Sequence, residues 1–505
     1  MSLLHALLST ARSTPDKPLL RHEGQTVTYA EMAARSRQAA DLLQQAGVGP
    51  GERVALMCLN TPAFIECLFG AWRLGAAVVP INHKLMAPEV DYILRHSESK
   101  VLVFDAALAG TAQALQAPLR KLSTEGDVSG VANYDRLRPT HAGVDGAPVA
   151  EDDLAEVLYT SGTTGRPKGC LHTHKTVTLA AMNAALAVSI TRDERMLMAM
   201  PIWHSSPLNN WFGGTVYMGG CVVLMREYHP QKLLQTIQDE GVTAYFGAPV
   251  SFFAPLQVVP DFARYTLSSV RCWLYGGGPI GAEMSRKLAQ AYGSGQFFQV
   301  FGMTETGPLG SALYPEEQLS KAGSIGRAAA PGIELKVVKA DGQDARPGET
   351  GEIWLRGPSV MKGYLNDPEA TRAAFSADGW YRSGDLVRID EDGYLFVVDR
   401  MKDMIVTGGE NVYSKEVEDV LSTHPAVADV AVVGQPHPEW GETVVAHVVL
   451  KPGQQVDGEG LSAFLADKLA RYKVPRVFQF SEALPRTPTG KLQKFLLRKP
   501  VGTAA

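Results

Sequence analysis

Between Thr28 and Asp105 short apolar runs alternate with amphipathic stretches, and this rhythm constrains the fold more than any other feature of the chain. Thr28-Tyr-Ala-Glu31 is a capping box: the threonine hydroxyl serves the amide three residues on, the glutamate reaches back, and the helix so opened is closed by Gly47. Arg53 to Leu59 reads as a buried strand. Thr61-Pro62 opens a second helix with proline at its first position, Gly75 ends it, and Ala76 to Ile81 is a second strand. Ala87 to Glu98 follows as helix and Lys100 to Asp105 as strand. Strand and helix in this alternation predict a parallel sheet with helices on both faces. Ala107 to Ala150 loses periodicity and reads as a variable surface excursion.

A chain of 505 residues exceeds one ordinary core, so two or more domains are expected. Its 45% hydrophobic and 20% charged residues are those of a soluble globular protein. A formal charge of −5 and the lack of any Lys/Arg run argue against nucleic acid or a polybasic membrane surface as partner. The five cysteines, Cys58, Cys67, Cys170, Cys221 and Cys272, are odd in number and never form a Cys-x-x-Cys pair. Neither a disulfide framework nor a zinc site is indicated, and a reducing cytoplasm is the expected location. No segment reaches the ~18 apolar residues that span a bilayer, and neither terminus reads as an address signal.

Tyr159 to Gly169, Tyr-Thr-Ser-Gly-Thr-Thr-Gly-Arg-Pro-Lys-Gly, follows the apolar strand Leu154 to Tyr159 and reads as a phosphate cradle. Gly162, Gly165 and Gly169 let backbone amides approach an anion; Thr160, Ser161, Thr163 and Thr164 add donors and Lys168 adds charge. The spacing is not the Walker pattern, so a different nucleotide chemistry is required. Beyond it, Thr173 to Val188 reads as helix, Arg195 to Met200 as a strand running into Pro201-Ile-Trp-His204, Gly213 to Met225 as strand material and Pro230 to Glu240 as helix. Val242 to Phe246 is a strand ending at Gly247, Val270 to Tyr275 one ending in Gly276-Gly-Gly-Pro279, and Gln296 to Phe301 one followed by Gly302-Met-Thr-Glu-Thr-Gly307. Ligands of open parallel sheets collect at the carboxyl ends of strands, so these loops are expected to converge on one cleft. From Ile333 short alternating strands predict a smaller β subdomain on the main sheet, and past Arg400 the chain restarts as a mixed α+β domain.

Six motifs in this order resemble the adenylate-forming superfamily of acyl-CoA synthetases, luciferases and peptide-synthetase adenylation domains. They are the cradle, Phe301-Gly-Met-Thr-Glu305, Tyr381-Arg-Ser-Gly-Asp385, Asp399-Arg-Met-Lys-Asp403, Gly408-Gly-Glu410 and Pro485-Arg-Thr-Pro-Thr-Gly-Lys491. The resemblance implies an α/β fold: a large N-terminal domain of parallel sheets flanked by helices plus a β subdomain, and a small mobile α+β C-terminal domain. The expected divisions are residues 1–398, a hinge at 399–403, and 404–505.

It also implies an ATP-dependent acid–CoA ligase with ATP, Mg²⁺ and coenzyme A as cofactors and a small-molecule carboxylic acid as substrate. Oligomeric state is left open, a homodimer included. Lys491 is similar to the lysine that bridges carboxylate and α-phosphate. Glu305 resembles the magnesium ligand, with the Thr160 hydroxyl as a second contact. The ATP/AMP site is implied at Thr160, Ser161, Gly162, Thr163, Thr164, Gly165, Lys168, Gly276, Gly277, Gly278, Pro279, Phe301, Gly302, Met303, Thr304, Asp385 and Arg400. Phe301 stands where the family usually has Tyr, which keeps the stacking face and removes a polar handle. Asp385 resembles the ribose ligand. Lys402 falls at the hinge, Gly408, Gly409 and Glu410 at the strand presented for the CoA step, and His204 resembles a gate of the acid pocket. Trp203, His204, Leu208, Trp211, Phe246 and Met303 are expected to wall that pocket, favouring an apolar fatty or aryl monocarboxylic acid. A stand-alone adenylation enzyme loading a carrier protein and a luciferase-like oxygenase share the first step and are the alternatives.

Overall fold

The computed structural model describes residues 2–146, 148–160, 167–407, 410–466, 468–486 and 492–498. The chain packs as two compact units, the first formed by residues 1–335 and 355–381 and the second by 336–354 and 382–505.

The first unit holds two sheets. The seven-stranded one runs, edge to edge, through Ala132–Asn133, Arg120–Thr124, Val101–Asp105, Arg53–Met57, Ala77–Pro80, Leu154–Thr160 and Lys168–Thr173. All neighbours are parallel except the last two, which form an antiparallel hairpin. The eight-stranded sheet has a parallel centre, Phe297–Phe301, Cys272–Gly276, Ala244–Gly247, Arg195–Met198, Cys221–Leu224 and Pro18–His22, with an antiparallel strand at each edge. Strand residues alternate faces. Val54 and Leu56 from one sheet and Met196 and Met198 from the other therefore enter a shared core with the helices Tyr29–Gln45, Pro62–Arg73 and His174–Ala187. Ala55 and Met57 face a separate core containing Val90 and Ile93, and Leu197 and Ala199 one containing Leu233 and Ile237. This is the expected parallel-sheet architecture, doubled.

Local signals hold where the chemistry is local. Glu31 N donates to Thr28 Oγ1 at 3.2 Å and Thr28 N to Glu31 Oε2 at 2.7 Å, the reciprocal capping box. Pro62 is the first residue of its helix, and Pro230–Glu240 is helical end to end. Two expectations fail. Residues 107–150 include the sheet strand Arg120–Thr124, whose inward positions mix Leu122 with polar Thr124; the Thr124 hydroxyl donates to Asp135 at 3.0 Å, so no apolar alternation marks it. Within 213–225 only Cys221–Leu224 is strand, because Gly213–Tyr217 continues a helix. A Cβ at Gly214 would lie 3.1 Å from the Ala181 carbonyl oxygen, so glycine there permits close approach of two helices.

In the second unit lie most of a four-stranded sheet, Glu334–Val338, Thr350–Arg356, Tyr381–Ile389 and Leu395–Arg400, and a five-stranded sheet of the tail. Val417, Leu421, Leu461 and Leu465 of two helices pack on Val432, Val444, Ala446 and Val448 of that tail sheet. The expected hinge, Asp399 to Asp403, lies within this unit. Among the described residues no helix is long and apolar enough to cross a membrane.

Candidate active site

The hairpin Leu154–Thr160/Lys168–Thr173 carries the cradle at its turn. Its register pairs Thr160 with Lys168, Leu158 with Cys170 and Glu156 with His172. Opposed residues share a face. From mouth to floor that face therefore offers a hydroxyl and an ammonium, then an alkyl group and a thiol, then a carboxyl and an imidazole. Ser161, Gly162, Thr163, Thr164 and Gly165 lie outside the described residues, as do Gly408, Gly409 and Lys491.

Glu305 reaches the hairpin from the one-turn helix Thr304–Thr306 that follows the strand Phe297–Phe301. The Tyr364 hydroxyl donates to Glu305 Oε1 at 3.2 Å, and Lys168 Nζ stands 5.1 Å from the centre of the Tyr364 ring. The Cys170 thiol, two residues beyond Lys168 on the same strand face, is fully buried; burial and the nearby Glu305 charge push its pKa well up, so it stays protonated. Thr160, Lys168 and Glu305 are thus gathered around one thiol and one phenol. The turn needs its glycine, since a Cβ on Gly302 would fall 2.4 Å from the Pro308 carbonyl oxygen.

Behind them, His172 Nε2 lies 2.9 Å from the Thr304 carbonyl oxygen and Nδ1 3.3 Å from Thr176 Oγ1. Burial lowers this imidazole to about 4, so the neutral ring donates from Nε2 and ties the hairpin to the Glu305 turn. Thr304 Oγ1 and Ser205 Oγ are 2.9 Å apart, extending the tie to the π-helix Ser206–Phe212. From that helix Asn209 Nδ2 donates at 2.5 Å to Glu156 Oε1, and complete burial raises the Glu156 carboxyl to about 7.

The remaining predicted contacts fall at neighbouring strand ends. Gly276 pairs with Val300, next to Phe301, and a Cβ on Gly276 would meet the Val300 carbonyl at 3.0 Å and the Phe246 ring at 3.4 Å. Gly277, at φ +80°, and Pro279 are exposed, Gly278 half-buried. Leu208, Trp211 and Phe246 are buried in one core cluster, the rings of Trp211 and Phe246 5.3 Å apart, with Trp203 at its edge. Trp203 also donates to His83 Nδ1 at 3.1 Å and lies 5.8 Å, ring to ring, from His204. Met303 packs against Cys170, Met361 and Tyr381.

In the second unit Asp385 and Arg400 face each other across an antiparallel pair, Nε to Oδ1 2.9 Å, the carboxylate nearly buried. Lys402 is exposed, and its carbonyl accepts from Arg498, which also pairs with Asp403 at 2.9 Å. Lys494 Nζ donates to Ser414 Oγ at 2.5 Å and pairs with Glu418 at 2.7 Å. Glu410 is exposed in the strand Glu410–Val412, beside Ile405–Thr407.

Among the described residues no group of three or more His, Cys, Asp or Glu forms a metal cage. One carboxylate with nearby hydroxyls suits magnesium, a hard ion commonly held by one or two carboxylates plus substrate phosphates.

Residues 7–365 match the model of the AMP-binding enzyme family, and residues 416–491 that of the AMP-binding enzyme C-terminal domain. The chain belongs to the AMP-binding enzymes. It is 39% identical over 497 residues to feruloyl-CoA synthase from Amycolatopsis sp, covering 97% of each chain. It is 37% identical over 476 residues to a long-chain-fatty-acid–CoA ligase from Mycobacterium tuberculosis, covering 94% of this chain and 93% of that one. Among solved structures it resembles o-succinylbenzoate CoA synthetase from Bacillus subtilis in complex with the acyl-adenylate intermediate, at 33% identity and TM-score 0.85, over 99% of this chain and 98% of that one. In this AMP-binding enzyme the structure sets Thr160, Lys168 and Glu305 beside Tyr364 and His172, two residues that the motifs did not single out. Gly363, next to Tyr364, was the available signal: at φ +151° it marks a fixed backbone position.

Proposed function

We propose that this chain is an ATP-dependent acid–CoA ligase, AMP-forming. The observation that carries the reading is the gathering of Thr160, Lys168 and Glu305 at the mouth of one hairpin in an AMP-binding enzyme. A carboxylate is a poor electrophile. Its oxygen attacks the ATP α-phosphorus, the bond to the β-phosphate oxygen breaks, and pyrophosphate leaves. The CoA thiol then attacks the acyl carbon, the bond to AMP breaks, and the thiol proton is lost. Charge accumulates on phosphate oxygens in the first step, so fixed cations and donors carry the catalysis. Lys168 and the cradle amides hold the phosphates, and Lys491 bridges carboxylate and α-phosphate. Glu305, with the Thr160 hydroxyl as second contact, would hold magnesium, which would supply charge neutralisation on the phosphate side.

Asp385 takes the ribose hydroxyls, with Arg400 orienting the carboxylate through its ion pair. Phe301 and Gly276 to Pro279 border the adenine. Domain alternation about Lys402 brings Lys491 in for adenylation and Gly408, Gly409 and Glu410 for thioester formation. The acid is an apolar fatty or aryl monocarboxylate, a reading supported by the apolar cluster of Leu208, Trp211 and Phe246 and by the names of the feruloyl and long-chain relatives. His204 gates its entry. Five free, buried cysteines suit a reducing cytoplasm. Incubation with ATP, Mg²⁺ and a panel of acids, with and without CoA, tests the function. Acyl-CoA and AMP are expected with CoA, and acyl-AMP with pyrophosphate alone without it. Pyrophosphate release with no acyl-CoA for any acid would overturn CoA as acceptor.

A further inference from the structure

We infer that Tyr364 is a positioning residue that sets Glu305 for the metal and Lys168 for the phosphates at the same time; this rests on the function proposed above. Its backbone is fixed from two sides. Lys362 N donates to the Leu171 carbonyl at 2.9 Å, Leu171 N to the Gly363 carbonyl at 2.9 Å and Leu365 N to the Gly169 carbonyl at 2.8 Å, so residues 362–365 lie as a short antiparallel edge along the cradle's second strand. Met361 N donates to the Glu305 carbonyl at 2.8 Å. On the far side Tyr364 N donates to Thr371 Oγ1 at 2.9 Å, and a Cβ on Gly363 would meet Thr371 at 2.7 Å.

From this fixed base the side chain does two separate things. The hydroxyl donates to Glu305 Oε1 at 3.2 Å, which fixes one oxygen of the carboxylate. A glutamate has three rotatable bonds, so holding one oxygen restricts where the other can be, as outer partners of metal ligands do. The ring face meanwhile carries the Lys168 ammonium at 5.1 Å, a cation–π contact that keeps it at the cradle mouth. A tyrosine that merely filled space beside Cys170, Met361 and Tyr381 would require only the ring.

Two variants separate these roles. Tyr364→Phe keeps the ring and deletes the hydroxyl, whereas Tyr364→Leu deletes both. Mn²⁺ affinity in the presence of ATP is measured by the electron paramagnetic resonance of free Mn²⁺, and metal-free ATP binding by calorimetry, each beside a melting curve. Tyr364→Phe is expected to melt like the parent, to bind ATP without metal normally, and to bind Mn²⁺ about tenfold or more weakly, the usual effect of losing an outer partner of a ligand. Tyr364→Leu is expected also to lose metal-free ATP affinity severalfold. Parent-like Mn²⁺ binding by Tyr364→Phe would overturn the inference even if Tyr364→Leu failed to fold. Glu305→Gln distinguishes the two levels. If it too binds Mn²⁺ like the parent, the metal role of Glu305 falls; if it loses Mn²⁺ while Tyr364→Phe does not, only the role of Tyr364 falls.

Discussion

Glu156→Gln should stabilise the first unit in a pH-dependent manner. The carboxyl is completely buried, and burial lifts it from its ordinary 4.5 to about 7 while Asn209 partly offsets the rise. Between these values the folded chain keeps a proton that the unfolded chain gives up, so stability falls as the pH rises from about 4.5 to about 7 and is level above. At about 1.4 kcal/mol per pH unit the loss is about 3 kcal/mol. His172 and His174 act in the opposite direction: burial lowers both from 6.5 to about 4, so their contribution is complete above 6.5 and is lost as the pH falls towards 4. The opposing slopes overlap, which is why a difference between variant and parent is the quantity to measure. Glutamine keeps the acceptor that Asn209 uses and has no charge to bury. Urea denaturation followed by tryptophan fluorescence reports this unit, in which Trp72, Trp211 and Trp273 are all fully buried. The variant's advantage should grow by about 3 kcal/mol from pH 4.5 to pH 8. Parallel stability curves across that range would refute the buried, proton-holding carboxyl.

Lys491→Ala should slow acyl-AMP formation about 10²- to 10³-fold, the scale of losing one donor to a transition-state charge, while sparing CoA attack on supplied acyl-AMP. Equal loss in both half-reactions, measured by pyrophosphate release and by thioester formation, would refute a role confined to the first. Lys402→Pro should do the reverse, by freezing the rotation; if both half-reactions persist at parental rates, the pivot lies elsewhere.

What the sequence disclosed follows the range of the forces involved. Capping by Thr28 and Glu31, the proline start at Pro62 and the helix Pro230–Glu240 depend on neighbours a few residues away, and all three are legible. The strand Lys168–Thr173 is not, because one of the two partners that hold its polar His172 in the core is the Thr304 carbonyl, 132 positions on. The π-helix Ser206–Phe212 likewise buries Asn209 against Glu156, a partner invisible to periodicity. The same holds at the site. Motifs identified Glu305 and Lys168, whereas the phenol between them comes from a segment about 60 residues past Glu305 and belongs to none of the six motifs.

The central claim is that a carboxylate oxygen attacks the α-phosphorus of ATP. Supplying an accepted acid with both carboxylate oxygens as ¹⁸O, together with ATP, Mg²⁺ and CoA, and weighing the products by mass spectrometry tests it directly. One ¹⁸O in each AMP and one in each thioester is the expected result. AMP without label, with ¹⁸O in pyrophosphate or phosphate instead, would contradict it.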